Sequence, residues 1–299
     1  VIYTLAYSVV CVSGIIGNSL VVCVVYRNTR MHSITNYFIV NLAIADILVC
    51  CFCLPITLLS NLFTGWRLGA VMCKAAPFLQ GVAVSASVNT LAAVAFDRYL
   101  AICRTLQVTL TSRASRLILV SIWVWAPAIM TPWAIYYKQQ PYSSSVDICR
   151  QVWPLPDMER WFFLGVIFLT CYTIPLAFIS AFYVLISCRV WHRNAPGVHS
   201  SSQVIHKSKV KVLKMMIVVV ILFAFSWLPL YSVTVRLYFG PPLDERSTEF
   251  GLIYQIIVPV AQWLGLSNSC VNPIIYCFFS NKFRTGFKDL CIHCCRSRE

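Results

Sequence analysis

One carboxylate, that of Asp46, lies deep within a long apolar stretch of the sequence. A charged carboxylate at the middle of a bilayer costs roughly 2.5–3.5 kcal/mol on insertion scales, so Asp46 must face a protein interior and find polar partners there. A lone buried carboxylate among amides and hydroxyls suits a small cation such as Na⁺, or a proton, and a satisfied structural aspartate is the alternative. The predicted partners are Asn18, Ser87, Asn268, Ser269 and Asn272.

A second group of charges lies where the third apolar stretch ends, at Asp97-Arg98-Tyr99. Opposite charges on neighbouring residues either neutralise each other or are pulled apart by a partner. Three lysines at the start of the sixth apolar stretch share one helical face, namely Lys207, Lys211 and Lys214. These basic residues are interpreted either as snorkelling side chains at a membrane interface or as a switchable site for an acidic partner.

The residue pattern argues against catalysis and against transport. An intramembrane aspartyl protease needs two carboxylates that share a proton, and Asp46 has no second carboxylate in any apolar stretch. These stretches contain no histidine, and the sequence shows no nucleophile–base pair. A transporter or channel would show several interior charges or an inverted repeat, and the sequence shows neither. We therefore predict no enzymatic activity and no cofactor other than an allosteric Na⁺.

The elements that must position these residues follow from hydropathy. The chain of 299 residues is 59% hydrophobic and 11% charged, whereas about a quarter of the residues in a soluble domain are charged. Seven charge-poor stretches reach the roughly 20 residues that a helix needs to cross a bilayer. We predict an all-α membrane protein, a seven-transmembrane helix bundle that forms one domain over residues 1–299. The predicted spans cover about 3–27, 36–62, 72–104, 115–137, 160–190, 207–238 and 250–278.

A short amphipathic C-terminal helix is predicted directly after the seventh span, over about 280–291. Phe279, Phe283 and Phe287 fall on one of its faces and basic residues fall on the other, which is typical of a helix that lies on a membrane surface. Three cysteines at its end are predicted to carry palmitate, with unmodified thiols as the alternative, and they are Cys291, Cys294 and Cys295.

The charge distribution predicts an orientation. The net charge of +14 would suggest nucleic acid as the partner of a soluble protein. Here 17 of the 24 basic residues, and only three acids, fall in the linkers near 30, 105 and 200 and in the C-terminal tail. Because cytoplasmic loops collect Lys and Arg, we place these linkers and the C-terminus in the cytosol and the N-terminus outside. The net charge then reflects topology, and no nucleic-acid partner is predicted.

Two observations concern the outer side. Val1 already lies at the edge of the first span, so we expect the natural protein to carry an outer segment before it. Of the 15 cysteines, only Cys73 and Cys149 fall in or beside the outer loops. A pair on the oxidising side predicts one disulfide, with two free thiols as the alternative.

Several motifs occur in order on successive spans. They are Gly17-Asn18, Asn41 to Asp46, Trp66, Asp97-Arg98-Tyr99, Trp123, Pro175 with Tyr183, Phe225 to Pro229, and Asn272-Pro273-Ile274-Ile275-Tyr276. In this combination the chain resembles the rhodopsin-like (class A) G-protein-coupled receptors over its whole length. The resemblance implies a plasma-membrane receptor that passes an outside signal, through movement of helix 6, to a heterotrimeric G protein. It also implies arrestin as a partner.

The resemblance assigns roles to individual residues. Asp97 would hold Arg98 at rest and release it on activation. The residues implied in activation and G-protein coupling are Asp97, Arg98, Tyr99, Tyr183, Trp227, Asn272, Pro273 and Tyr276. Those that match the family's sodium pocket are Asp46, Ser87, Asn268 and Asn272.

The predicted ligand is a peptide. Gln80 stands where amine receptors have an Asp, and residues 250–281 lack the lysine that opsins need for retinal. At Gln80 and Gln262 the chain resembles peptide receptors. The most similar group is that of the receptors for neuropeptide FF, other RFamides and SIFamide, and the orexin and neuropeptide Y receptors are also similar. Glutamine both donates and accepts hydrogen bonds, which suits an amidated C-terminus; an ordinary interior amide is the alternative. The predicted ligand-binding residues are Gln80, Gly81, Val84, Trp227, Tyr231, Thr234, Val258 and Gln262.

One departure concerns the charge that such a peptide carries. Arg150-Gln151-Val152 follows Cys149, where acidic residues would be expected in neuropeptide FF receptors. We therefore expect another outer acid to bind the arginine of the ligand, namely one of Asp147, Asp244, Glu245 or Glu249.

Overall fold

The computed structural model describes residues 2–104, 109–192, 200–244 and 246–296. Within these ranges, seven helices are long and apolar enough to cross a membrane, and the predicted all-α seven-helix bundle is confirmed. Their bounds are α1 Ile2–Arg27, α2 Ile34–Leu62, α3 Gly69–Cys103, α4 Ser112–Tyr136, α5 Asp157–Trp191, α6 Ser200–Phe239 and α7 Thr248–Phe279. We call the end of the bundle near Cys73 the outer end and the end near Arg98 the inner end.

Three of the helices begin at a hydroxyl residue that caps the first turn. The Ser33 side chain accepts a hydrogen bond from the backbone N–H of Asn36 at the start of α2. Thr111 caps α4 and Ser247 caps α7 in the same way. Such caps satisfy N–H groups that have no partner within the helix, so the sequence itself fixes these starting points.

Three helices contain a wide π-helical segment in their outer half. The segments are Val49–Cys53 in α2, Phe163–Thr173 in α5 and Ile253–Ile257 in α7. A proline lies two residues after each segment, at Pro55, Pro175 and Pro259. Proline offers no N–H and its ring clashes with the carbonyl four residues earlier, so the neighbouring carbonyls bond one residue further along.

Helix α3 is the centre of the bundle. Its part from Gly81 to Ile102 is largely buried, and the helix packs against α2, α4 and α5. Helices α6 and α7 pack against each other, and α1 closes the bundle against α2 and α7. The residues with functional chemistry on α3 therefore face other helices and not lipid.

The second outer loop folds into a hairpin, which the sequence analysis did not predict. Strand β1, Tyr137–Ser143, pairs antiparallel with β2, Val146–Gln151. The predicted disulfide is present and joins Cys149 of β2 to Cys73 of α3. The backbone N–H of Trp66 donates to the carbonyl of Asp147 at 2.6 Å. These two ties hold the hairpin over the outer end of the bundle.

Gly65 makes this contact possible. Its φ of 81° lies in the left-handed region, which L side chains rarely adopt. A Cβ at this position would also lie 2.8 Å from the Asp147 carbonyl oxygen. Only glycine therefore lets the first outer loop approach β2 so closely.

The amphipathic helix is α8, Asn281–Arg296, and it runs five residues beyond the predicted end at 291. The Phe283 ring stacks on Tyr276 of α7, with 5.5 Å between ring centroids. Gly286 lies directly against the Val24 side chain of α1, so α8 is packed onto the inner end of the bundle. The side chains of the predicted lipidation sites Cys291, Cys294 and Cys295 lie outside the described part of the chain.

Candidate functional site

A cavity of about 490 Å³ lies in the outer half of the bundle, between α3, α4, α5, α6 and α7 and beneath the hairpin. The structure brings all eight predicted ligand-binding residues together on its wall, namely Gln80, Gly81, Val84, Trp227, Tyr231, Thr234, Val258 and Gln262. The volume falls within the 300–1,000 Å³ that is usual for small-ligand sites.

The deep part of the cavity is aromatic. Trp227 and Tyr231 are both buried and lie one turn apart on α6, with 6.2 Å between their ring centroids. Tyr231 packs against Tyr172 of α5 at 4.6 Å. The Tyr172 hydroxyl donates to the carbonyl of Ala224 at 2.8 Å, which ties α5 to α6. A ligand that reaches this depth therefore touches the residues through which α6 is held.

The Trp227 ring rests on Gly265 of α7. A Cβ on Gly265 would lie 3.1–3.3 Å from three atoms of the indole, which is tighter than ordinary van der Waals contact. Glycine at this position leaves the space that the ring occupies, and it brings α7 close to α6.

Two amides face the cavity in different states. Gln80 makes no side-chain hydrogen bond to any described residue, so its donor and its acceptor are both free. The carbonyl of Gln262 accepts a hydrogen bond from Asn61 at 3.3 Å, and Asn61 also donates to the Tyr7 hydroxyl at 3.2 Å. The NH₂ group of Gln262 therefore remains as its free donor. Sequence reasoning offers no signal for the Asn61 contact, because Asn61 and Gln262 are 201 positions apart.

The cavity wall also carries Glu159, which is not among the ligand contacts that the sequence predicts. The structure places the expected acids elsewhere. Asp147 accepts a hydrogen bond from Gln139 at 2.6 Å, and Glu249 forms an ion pair with Arg236 at 2.9 Å. Asp244 caps the turn before α7, and Glu245 lies outside the described residues. None of the three described acids lines this cavity, because local partners hold them in the hairpin, in the turn before α7 and at the start of α7.

Asp46 lies in a buried polar cluster at the middle of the bundle. The Asn272 amide donates to its carboxylate at 2.8 Å. Asn18 donates to the carbonyl of Ser269 at 2.8 Å, and Ser87, Asn268 and Ser269 are also buried. The side-chain oxygens of Asn18 and Asn272 are buried without a hydrogen-bond partner among the described residues. Unpartnered hard oxygen ligands beside a carboxylate fit Na⁺.

Arg98 is held at the inner end of α3. Its guanidinium forms an ion pair with the adjacent Asp97 at 2.6 Å, and Asp97 is buried. The Thr35 hydroxyl of α2 donates to the same carboxylate at 2.7 Å and also contacts the guanidinium. The resemblance implied the Asp97–Arg98 pair but gave no signal for Thr35. The Tyr99 ring faces away, against Phe182 of α5 at 5.3 Å.

The remaining residues implied in activation lie on α5 and α7. Tyr183 and Tyr276 are both buried, and the Tyr183 hydroxyl has no hydrogen-bond partner among the described residues. Pro273 is buried where Gly17 of α1 approaches it. The inner half thus contains the Asp97–Arg98 ion pair and, in Tyr183, a buried hydroxyl that makes no hydrogen bond to a described residue.

A sequence-family model described as "7 transmembrane receptor (rhodopsin family)" matches residues 17–276. The chain belongs to this rhodopsin family of seven-transmembrane receptors. Neuropeptide FF receptor 2 of Mus musculus is 39% identical over 303 residues, which cover 96% of this chain and 72% of that protein. The substance-P receptor of Homo sapiens is 35% identical, covering 99% and 72%. The RYamide receptor of Drosophila melanogaster is 33% identical, covering 97% and 63%.

Family membership confirms the resemblance drawn from the motifs. This rhodopsin-family receptor is a multi-pass membrane protein and not an enzyme. G-protein coupling through movement of the sixth helix is general for the family. The relatives named above are similar to this chain over nearly its full length.

Proposed function

We propose that this receptor binds an extracellular peptide with an amidated C-terminus, of the RFamide or SIFamide kind, and activates a heterotrimeric G protein. Its N-terminus lies outside the plasma membrane and its C-terminus in the cytosol, with arrestin as a further partner. Helix α8 then lies on the inner leaflet, with Cys291, Cys294 and Cys295 as palmitoylation sites. The names of the neuropeptide FF and RYamide relatives support this class of ligand.

The observation that carries the proposal is the pairing of two amides with an aromatic wall in one cavity. Gln80 offers a donor and an acceptor, and Gln262 offers a donor. A terminal carboxamide has the complementary groups, since its carbonyl accepts and its NH₂ donates. An aromatic side chain next to that terminus would pack against Tyr231 and Trp227. The cavity is of a size for the last residues of a peptide, and the rest would extend beneath the hairpin.

A preference for amidated peptides tests this proposal. Synthetic octapeptides that end in Arg-Phe-NH₂ should stimulate nucleotide exchange at concentrations about 100-fold below those of the same peptides with a free carboxylate, because an unpaired buried polar group is costly. Gln80→Leu should narrow this ratio of effective concentrations to tenfold or less, since it removes the two hydrogen bonds that Gln80 is proposed to make with the terminal amide. Gln140→Leu, which alters the hairpin away from the cavity, should leave the ratio unchanged. No response to any amidated peptide, or an unchanged ratio in Gln80→Leu, would refute the proposal.

We infer that activation couples the cavity to Arg98 through α6. A ligand shifts a receptor only by its differential affinity for the two states. Trp227 and Tyr231 are buried aromatic residues of the cavity that lie on the moving helix. In the resting state Asp97 and Thr35 hold Arg98. In the active state Arg98 is released toward the G protein, and Tyr183 and Tyr276 stabilise the open inner end.

We further propose that the Asp46 cluster binds Na⁺ as an allosteric ion of the resting state. Agonist affinity of the wild type should then fall several-fold when NaCl replaces choline chloride at equal ionic strength, because the ion stabilises the state that the agonist does not favour. Asp46→Asn removes the charge and keeps the shape, so its agonist affinity should be the same in both salts. Asp147→Asn, on the outer hairpin, should keep the sodium response. A full sodium response in Asp46→Asn would make Asp46 a structural residue.

A further inference from the structure

The polarity of the cavity wall is uneven. Gln80 of α3 and Gln262 of α7 are neutral, whereas Glu159 at the start of α5 is the one formally charged residue among those that line the cavity. No Lys, Arg, His or Asp from the described residues shares this wall. The cavity therefore carries a single negative charge, and it lies toward α5 and α6.

Glu159 is positioned by hydrogen bonds and not by an ion pair. The Tyr238 hydroxyl of α6 donates to one oxygen of its carboxylate at 2.8 Å. Gln151 of β2 donates to the hydroxyls of Tyr238 and Tyr137, at 3.4 and 3.3 Å. These contacts leave the second carboxylate oxygen without a partner among the described residues.

The nearby basic residues are engaged elsewhere. Arg160, the next residue along α5, faces Asp157 at 3.7 Å. Arg150 of β2 donates to Gln140 on the outer surface of the hairpin at 2.7 Å. Glu159 thus has no cationic partner in the described part of the protein, although it lines a cavity that removes it partly from water.

The walls around Glu159 suit a flat cation. Phe163 and Tyr238 lie with their ring centroids 5.2 Å apart, and Trp133, Tyr137 and Phe162 line the same cavity. Burial, and then the nearby charge of Glu159, raises the pKa of Tyr137 above its ordinary value, so this hydroxyl remains neutral. A guanidinium is planar, binds carboxylates through a fork of N–H donors and stacks on aromatic rings.

We propose that Glu159 is the counter-ion for the guanidinium of an arginine side chain in the peptide, held in place by Tyr238. The inference rests on the proposed function, and it replaces the loop acids expected from the sequence. The terminal amide then lies between Gln80 and Gln262, and the arginine lies toward the outer ends of α5 and α6. The arrangement selects peptides that carry a cation close to the amidated end.

Citrulline tests the charge, because it has nearly the shape of arginine without the positive charge. The probes are amidated octapeptides that end in Arg-Phe-NH₂ and in citrulline-Phe-NH₂, with nucleotide exchange as the readout. On the wild type, the arginine peptide should act at concentrations about 30-fold lower or more, as expected for a desolvated charge pair. On Glu159→Gln this ratio should fall to threefold or less. Asp157→Asn, a matched loss of charge on the same helix, should keep the ratio of the wild type.

Surface staining of each variant separates folding from recognition. If Glu159→Gln does not reach the surface, Glu159→Asp keeps the charge and should retain discrimination between the two peptides. The assignment of Glu159 is overturned if the citrulline-to-arginine ratio of effective concentrations is undiminished in Glu159→Gln, or if Asp157→Asn lowers it as much as Glu159→Gln does. Either result leaves the proposed function intact. If neither amidated peptide stimulates nucleotide exchange on the wild type, the proposed function itself is refuted.

Discussion

Replacing Arg98 with alanine is expected to reduce ligand-stimulated nucleotide exchange by about 100-fold or more, with agonist affinity changed little. Arg98 lies at the inner end of α3, at the opposite end of the bundle from the cavity, so the ligand site keeps its shape. Among the described residues, its guanidinium is bound by groups of α2 and α3 alone, namely Thr35 and Asp97. On activation the released Arg98 is proposed to contact the G protein. Removal of one partner from a charge pair at such an interface costs 2–5 kcal/mol or more, and this cost sets the expected loss of nucleotide exchange.

The measurement is nucleotide exchange on purified G protein, alongside agonist binding on the same membranes. Arg104→Ala is the matched control, because Arg104 lies one residue after α3, is exposed and forms no ion pair with any residue that the structure describes. It should signal as the wild type does. Arg98→Lys should be intermediate, since lysine keeps the charge but not the planar fork of donors. Signalling by Arg98→Ala at the level of the wild type would show that this residue has no part in coupling.

Loss of the Cys73–Cys149 disulfide is expected to abolish ligand binding and to lower the amount of receptor at the cell surface. The bond closes a loop of 76 residues, and a crosslink of this length stabilises by about 4 kcal/mol in the chain-entropy model. It also fixes β2 over the cavity, where Gln151 holds Tyr137 and Tyr238. Cys73→Ser therefore removes stability and frees the hairpin that covers the ligand site.

The double variant Cys73→Ser/Cys149→Ser should be no worse than either single variant, because both residues serve one bond. Cys188→Ser, at an exposed thiol of α5, should bind and reach the surface normally. Flow cytometry of an N-terminal tag gives surface amount, and a radiolabelled agonist gives binding. Normal binding by both single variants would mean that the hairpin keeps its place without the bond.

The helices, the disulfide and the Asp46 cluster were predictable because each depends on a strong physical signal. Hydropathy predicts the spans. Only two cysteines lie in or beside the outer loops, on the oxidising side of the membrane, so they predict the disulfide. A buried carboxylate needs polar neighbours such as Asn272. The eight cavity residues came from the family resemblance, since periodicity carries little information in helices that are apolar on all sides.

What could not be predicted depends on contacts between distant positions. Thr35 reaches Asp97 across 62 residues, and Tyr238 reaches Glu159 across 79. Cys73 and Trp66 anchor β2 of the hairpin, whereas the local sequence of residues 137–151 has only a weak strand pattern. The sequence therefore predicts the acidic partner of the ligand near the outer loops, whereas the acid that lines the cavity is Glu159 at the start of α5.

The three π-helical segments fix the rotational phase of the ligand-facing ends of α2, α5 and α7. Each residue of an α-helix turns the chain by about 100°, so deletion of one residue within Phe163–Thr173 would swing everything on its outer side by about that angle. Phe163 and Ile167, which now face the cavity, would exchange places with lipid-facing neighbours, while the inner half stayed where it is. Length changes at these points should therefore be far less tolerated than substitutions, and insertions should accumulate in the outer loops instead.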